Sequence, residues 1–433
     1  MKKETKLWQR AKKSILHGNM LLSKRPEMHL PNLWPTYYLK AKGINIWGLD
    51  KKKYTDMLFL VGPNTLGYAN PKIDNSVIKT IKMGNMSSLN CPEEVYLAER
   101  LVSMHPWASK VKFARSGGEA NAIAVRIARA ASGRDKIAIC GYHGWHDWYL
   151  SANLKGKNKL NKHLLEGLHP KGVPSKLKDT VIPFQYNDIE NLTKIIQSNK
   201  LAAIKMEVSR NQGPENNFLQ KVRKLCNKNN IILIFDECTS GFRQTYGGLH
   251  KLFNVEPDMA MFGKALGNGY AITAVLGKEE IMSEAQESFI SSTFWTERIG
   301  PAAALATLDE MKRTKSWVKI TDLGNYLIEG WKYLGDKYQV KFNTSSLPAL
   351  ATLNFENEKK LEYKTFLTQE MLKKNYLAST LTYLSTAHSK SIINKYIEDL
   401  ESIFKILGEC ENGNKIEKYL NTEVCEKGFK RLN

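Results

Sequence analysis

Lys264 and Asp236 are the two residues of this chain whose types and surroundings suggest joint chemistry. Lys264 follows the apolar run Met259-Ala-Met-Phe-Gly and opens a glycine-rich turn, Ala-Leu-Gly-Asn-Gly269. Asp236 ends the apolar run Ile231-Ile-Leu-Ile-Phe and is followed by Glu237. Both runs read as buried strands of a parallel sheet, and side chains at the C-terminal ends of such strands face one crevice. An amine and a carboxylate in one crevice suit pyridoxal 5'-phosphate. The amine forms a Schiff base with the aldehyde, and the carboxylate keeps the pyridine nitrogen protonated so that the ring takes electrons from a carbanion. Plainer readings exist for each residue alone. A lysine after a strand is ordinarily solvated, and Asp-Glu after an apolar strand also occurs as a metal-binding element in nucleotide-binding proteins.

A phosphate needs its own cradle. Val111-Lys-Phe-Ala is a short strand that runs into Arg115-Ser116-Gly117-Gly118-Glu119, and the alanine-rich stretch from Glu119 to Ala131 carries Ile123 and Ile127 at helical spacing. Ser-Gly-Gly therefore opens a helix. Free amides and the positive end of the helix dipole favour an anion there, and glycine lets the backbone approach it. Alone the motif is weak, since it also serves as a simple cap. No Gly-x-x-x-x-Gly-Lys-Ser/Thr element accompanies it, which argues against a nucleotide P-loop. After the strand Lys136-Ile-Ala-Ile-Cys140 comes Gly141-Tyr142-His143-Gly-Trp-His-Asp147. An aromatic residue there can stack on a pyridine face, or belong to an ordinary aromatic loop.

Taken together, Ser116-Gly-Gly-Glu-Ala, Tyr142-His-Gly-Trp-His-Asp, Asp236-Glu-Cys-Thr-Ser-Gly-Phe-Arg243 and Phe262-Gly-Lys264-Ala-Leu-Gly-Asn-Gly resemble, in order and spacing, the class III aminotransferases. These are fold-type I pyridoxal phosphate enzymes. The chain is most similar to the branch containing glutamate-1-semialdehyde aminomutase, over nearly its whole length. The resemblance implies an α/β fold with a large, mainly parallel-sheet domain and a smaller α+β domain. It implies Lys264 as the Schiff-base lysine, Asp236 as the partner of the pyridine nitrogen and Tyr142, beside His143, as the ring-stacking aromatic. Ser116, Gly117 and Gly118 correspond to the phosphate loop, Glu207 to the acid ending the preceding strand and Cys238 to the residue beneath the ring. Thr293 corresponds to a threonine that reaches the phosphate from a neighbouring subunit, so a homodimer with shared active sites is expected.

Three departures from the family's pattern stand out. Cys238 stands where valine is usual; as a small hydrophobe it packs there equally. Gly118 replaces serine or threonine and leaves the phosphate more dependent on backbone donors. Glu297-Arg298 replaces His-Pro or Asn-Pro after Thr293, which changes the substrate mouth. Trp295, Glu297 and Arg298 are therefore candidate substrate residues, with Arg298 either holding a carboxylate or serving as a local salt-bridge partner.

The elements around these motifs follow. At 433 residues the chain exceeds a single core, and 42% hydrophobic content is ample for two domains. The expected division is residues 1–55 as a segment packing with the small domain, 56–300 as the large cofactor domain and 301–433 as the small domain. Strands are expected at 111–114, 136–140, 202–207, 231–237, 259–263 and 272–277, then near 338–343 and 350–355. Helices are expected from about 301, near 359–374 and near 389–408, and a hairpin in the segment from Gly43 to Asp50. Ser151 to Lys178, without periodicity, reads as a long excursion near the site, and Glu411 to Asn433 as a weakly patterned tail. No apolar run is long enough to span a bilayer, and the lysine-rich start lacks a signal core, so the expected location is cytoplasmic without membrane association. The six cysteines form neither a disulfide framework nor a zinc site, and no metal is expected. The net charge of +21 is spread along the chain, and runs such as Lys51 to Lys53 and Lys155 to Lys162 lack interleaved aromatics. Nucleic-acid binding is therefore not expected.

These readings converge on an aminotransferase acting between a small-molecule amino donor and a keto or aldehyde acceptor, sugar-like or carboxylated. An intramolecular aminomutase, a racemase or decarboxylase on the same scaffold, and a catalytically idle homologue remain open. No arginine lies between Arg313 and Arg431 to hold a carboxylate from the small domain.

Overall fold

The computed structural model describes residues 3–156, 159–163 and 165–428. Arg431 and parts of the lysine run and of the tail noted above lie outside them. The chain forms two compact units: one from residues 71 to 317, the other from the N-terminal residues to Asn70 together with the residues from Val318 onward. These boundaries fall further along the chain than the divisions expected at 55/56 and 300/301.

The 71–317 unit is built on a seven-stranded sheet: β1 (Lys110–Ala114), β2 (Lys136–Cys140), β3 (Val181–Pro183), β4 (Leu201–Glu207), β5 (Ile232–Asp236), β6 (Met259–Phe262) and β7 (Thr273–Gly277). Its spatial order is β1-β7-β6-β5-β4-β2-β3. The pairs from β3 through β2, β4 and β5 to β6 are parallel, whereas β7 runs antiparallel to both β6 and β1. Consequently β1, β2, β4, β5 and β6 all end at the same edge. Every residue of β4, β5, β6 and β7 is buried, as expected of strands covered on both faces. Helix Gly117–Ser132 covers one face, packing Ala120, Ile123, Ala124 and Ile127 over Ala203, Ile234, Met261 and Val275. Ser116 caps this helix in a capping box with Glu119, and Gly133 ends it in the left-handed region at φ 62°.

In the second unit Tyr38–Lys42 pairs antiparallel with Asn45–Gly48, which pairs with Lys53–Asp56; Tyr376–Leu377 adds in parallel to the last. The expected strand across 338–343 is corrected. Helix Ser316–Tyr338 occupies its start, leaving only Phe342–Asn343 as strand. Ile320, Leu323, Leu327, Trp331 and Leu334 are buried at helical spacing and explain why. The run 350–355 divides in two: Leu350–Thr352 pairs with Leu381–Tyr383, and Asn354–Phe355 with Phe342–Asn343. The tail is tied down, with Asn421 N donating to Gln369 Oε1 and Cys425 N to Thr365 Oγ1.

Candidate active site

Asp236 and Glu207 are register partners at the ends of β5 and β4, and Lys264 follows β6, the other neighbour of β5. The amine and the carboxylate thus stand at one sheet edge because two apolar strands run parallel and stop together. Lys264 is held at φ 43°, in the left-handed region that a lysine seldom adopts. Its Nζ donates to Thr239 Oγ1 at 2.6 Å.

Asp236 is 4% exposed. Its Oδ1 accepts from the Cys238 amide at 3.1 Å, and its Oδ2 lies 2.9 Å from His143 Nδ1 and 4.0 Å from Lys205 Nζ. Burial alone would raise its proton affinity. The Lys205 charge and the His143 hydrogen bond overcome that and hold the carboxyl well below the usual carboxylate range. The group is therefore a fixed anion at the base of the crevice. His143, 1% exposed, acts through this carboxylate, and its buried Nε2 has no hydrogen-bond partner among the described residues.

Ser116 to Gly118 lie at the end of β1, on the same edge. Ser116 Oγ accepts from the Glu119 amide, and the Glu119 carboxylate accepts from the Ser116 amide at 2.8 Å. The next two amides, of Gly117 and Gly118, precede any possible intrahelical acceptor and are the donors the helix end offers to an anion. A Cβ on Gly118 would stand 2.7 Å from the His146 ring, so a larger residue here would need that side chain to shift. A Cβ on Gly117 would lie 3.8 Å from Cys238 Sγ, which brings the phosphate loop and the turn after β5 together.

Tyr142, after β2, donates its amide to Glu207 Oε2 at 3.2 Å. Burial pushes its phenol up; Arg210 opposes and Asp236 reinforces that shift, so its ring is within electrostatic reach of both. Glu207 Oε1 pairs with Arg210 at 3.1 Å. The excursion after Ser151 reaches this place, where His163 Nδ1 accepts from the Gly141 amide at 2.9 Å.

The remaining candidates lie in and just after the turn that precedes helix Ile299–Thr314. Thr293 is exposed at the start of the turn Thr293–Thr296. Trp295 Nε1 donates to Glu119 Oε1 at 3.1 Å. The Glu297 carboxylate accepts from the Ile299 and Gly300 amides at 2.8 Å each and pairs with Arg115 at 2.9 Å. Helix Ile299–Thr314 is thus capped by Glu297, and the preceding Ser-Thr stretch does not perform that task. Arg298 donates through Nε and Nη2 to both oxygens of Glu93, at 2.8 and 2.9 Å. Its planar fork is filled from within the protein.

Sequence reading missed Thr239, Arg210, Arg115 and Lys205. Thr239 and Arg210 lie just beyond recognised strands, so only the turn geometry reveals their direction. Lys205 left a signal, a single lysine inside the otherwise apolar stretch Leu201 to Met206.

Residues 29–393 match the family profile described as aminotransferase class-III. The chain is 33% identical over 367 residues to a 3-aminobutyryl-CoA aminotransferase of Cloacimonas acidaminovorans, covering 82% of this chain and 84% of that protein. It is 33% identical over 392 residues to a glutamate-1-semialdehyde 2,1-aminomutase of Nitrosopumilus maritimus, covering 84% and 91%. Its fold is similar to that of the Sphingopyxis sp. MTA144 FumI protein, solved in a PLP internal aldimine form. The TM-score is 0.85 at 23% identity, over 96% of this chain and 99% of that one. With a profile spanning most of its length and relatives of this likeness, the chain belongs to the class III aminotransferases, a family of pyridoxal phosphate enzymes.

Proposed function

We propose that the protein moves an amino group between a small amino donor and a keto or aldehyde acceptor, with pyridoxal 5'-phosphate held between Asp236 and the Gly117–Gly118 amides. The observation that carries this reading is the placement of Lys264 and Asp236 at the ends of neighbouring parallel strands, beside the free helix end. The residues fit the cofactor. A primary amine is available for its aldehyde, a buried fixed anion for its ring nitrogen and amide donors for its phosphate. When bound, the cofactor supplies an aldehyde that captures amines and a protonated ring that spreads negative charge.

The protein's own residues do the rest. Lys264 Nζ would be the amine that holds the aldehyde and, when free of it, the base placed to move a proton at the substrate's α-carbon. Thr239 Oγ1, 2.6 Å from Nζ, orients that amine between turns. Asp236 holds the proton on the ring nitrogen, and His143 fixes the carboxylate that does so. Tyr142 would stack on the ring and Cys238 would pack beneath it.

The active unit of this reading is a homodimer in which Thr293 reaches the partner's phosphate. Support comes from its exposure and from Leu89, Phe289 and Phe294, which are 82%, 87% and 69% exposed on the same unit. The acceptor is read as a keto or aldehyde compound, carboxylated or sugar-like. The specific second reading is intramolecular transfer, favoured by relatives named glutamate-1-semialdehyde 2,1-aminomutase. The decisive experiment follows the cofactor's spectrum. Conversion to its amine form by a donor and recovery by a separate acceptor supports intermolecular transfer. Turnover of glutamate-1-semialdehyde without any added acceptor supports the mutase. A spectrum unmoved by all amines refutes both.

A further inference from the structure

Lys205 is a buried charge that the mechanism above does not use. It is fully buried, on the face of β4 shared with Ala203 and facing Ile234 in register. Among the described residues its Nζ meets Met261 Sδ at 3.2 Å and Asp236 Oδ2 at 4.0 Å. An ammonium has three donors, and a thioether is a weak acceptor, so the Asp236 carboxylate is what makes a charge tolerable here. The surrounding groups are few. Asp236 and Cys238 approach from β5 and its turn, and Glu207, bound to Arg210, ends Lys205's own strand. His143 approaches Asp236 from the turn after β2, and Lys264 approaches Cys238 from beyond β6. The buried residues of helix Gly117–Ser132 include no titratable side chain.

We propose that Lys205 is a positioning residue that competes with the cofactor's ring nitrogen for the Asp236 carboxylate, so that gripping the protonated ring drives a proton off Lys205. The inference rests on the reading that Asp236 faces that nitrogen. One buried anion cannot compensate two buried cations, and the more weakly paired cation loses its proton. Burial has already lowered the Lys205 amine to about 8, with Asp236 opposing that shift. A second cation on Asp236 weakens this opposition and lowers the amine further. The site then takes a protonated ring more readily as pH rises toward the point where Lys205 is neutral.

The test is calorimetric titration of the apoprotein with pyridoxamine 5'-phosphate, which has no aldehyde and so bypasses Lys264. Buffers of different ionisation heat report the protons released. Wild type is expected to release more protons than Lys205→Met below about pH 8. The variant is expected to bind about tenfold tighter near pH 7, the scale of one charge interaction, with the two proteins converging above about pH 9. Lys205→Gln should behave as Lys205→Met and serves if the latter does not fold. Stability gives an independent readout. The folded amine titrates near 8 and the unfolded amine near its ordinary 10.5, so the unfolded chain binds more protons in between. Wild-type apoprotein should therefore gain stability across that window, and the variants should lack this gain. Equal proton release and equal affinity at every pH in wild type and variants would overturn the inference, as would weaker binding by the variants at pH 7. Asp236→Asn separates the underlying reading: if it binds pyridoxamine 5'-phosphate like wild type, Asp236 does not serve the ring nitrogen at all.

Discussion

Replacing Asp236 with asparagine tests the centre of the site, and the structure gives the size of two separable effects. The first is catalytic. An amide cannot hold the ring-nitrogen proton as a carboxylate does, so the charge formed at the substrate's α-carbon loses its sink. Removing one preorganised group that stabilises a developing charge costs about 10²- to 10³-fold in turnover, roughly 3–4 kcal/mol. The second effect is on the protein. Lys205, 4.0 Å from Asp236 Oδ2, loses the counter-charge that supports it. Stripping one partner from a buried pair costs about 3–5 kcal/mol if the other stays charged. Lys205 escapes that penalty by deprotonating, because its amine is already lowered to about 8. The net destabilisation at neutral pH should therefore fall well short of that range, and the fold should survive. Stopped-flow absorbance in a single half-reaction measures the first effect, and thermal melts of the apoprotein at several pH values measure the second. Turnover within a few-fold of wild type, with cofactor bound, would refute the assigned role of Asp236.

Three further outcomes are expected. Lys264→Ala should lose the visible absorption band that borohydride abolishes in wild type; an unchanged band would remove Lys264 from the cofactor linkage. Thr293→Val should weaken cofactor affinity about tenfold or more while leaving the dimer intact, since a hydrogen bond to a charged group contributes about 1.5–3 kcal/mol; a fully active monomer at assay concentration would contradict the shared site. Arg298→Lys should lower the melting temperature without moving the Michaelis constant of any carboxylated substrate, because its fork is occupied by Glu93; a raised Michaelis constant with unchanged melting would return Arg298 to the substrate mouth.

What was legible in the sequence followed from the physics of strand ends. In a parallel sheet each buried strand is a run of apolar residues, and its stop exposes the next polar side chain to the crevice. Asp236, Lys264 and Tyr142 drew attention because each follows such a run, whereas Glu207 came from the family resemblance; the structure places all four just at or beyond strand ends. Ser116 was found because Ser-Gly-Gly opens a helix, whereas the capping box it forms with Glu119 was not read from the sequence. The small strands near 338–355 were misjudged for the opposite reason. They are two or three residues long, too short for an alternation to register, and their partners lie far along the chain. The helix before them hid its register behind Gly324, Gly330 and Gly335, although its buried face repeats at helical spacing. Gly324 is small because a Cβ there would stand 2.0 Å from the Pro348 carbonyl oxygen, a contact absent from any local pattern.

The substrate mouth shows where residue type and residue role come apart. Glu297 and Arg298 departed from the family's pattern close to Thr293, and that position suggested substrate contact. In the structure each is paired with a partner remote in sequence or with a helix end: Arg115 and two amides for Glu297, Glu93 for Arg298. Arg115 is buried enough that burial lowers its guanidinium, with Glu297 opposing, so this pair braces the turn between the phosphate loop and helix Ile299–Thr314. The braced turn carries Thr293 outward on one side and anchors Trp295 to Glu119 on the other. Glu119 also accepts from the amides of Arg115 and Ser116. A charge change at 297 should therefore be felt at the phosphate loop through Arg115 and Glu119.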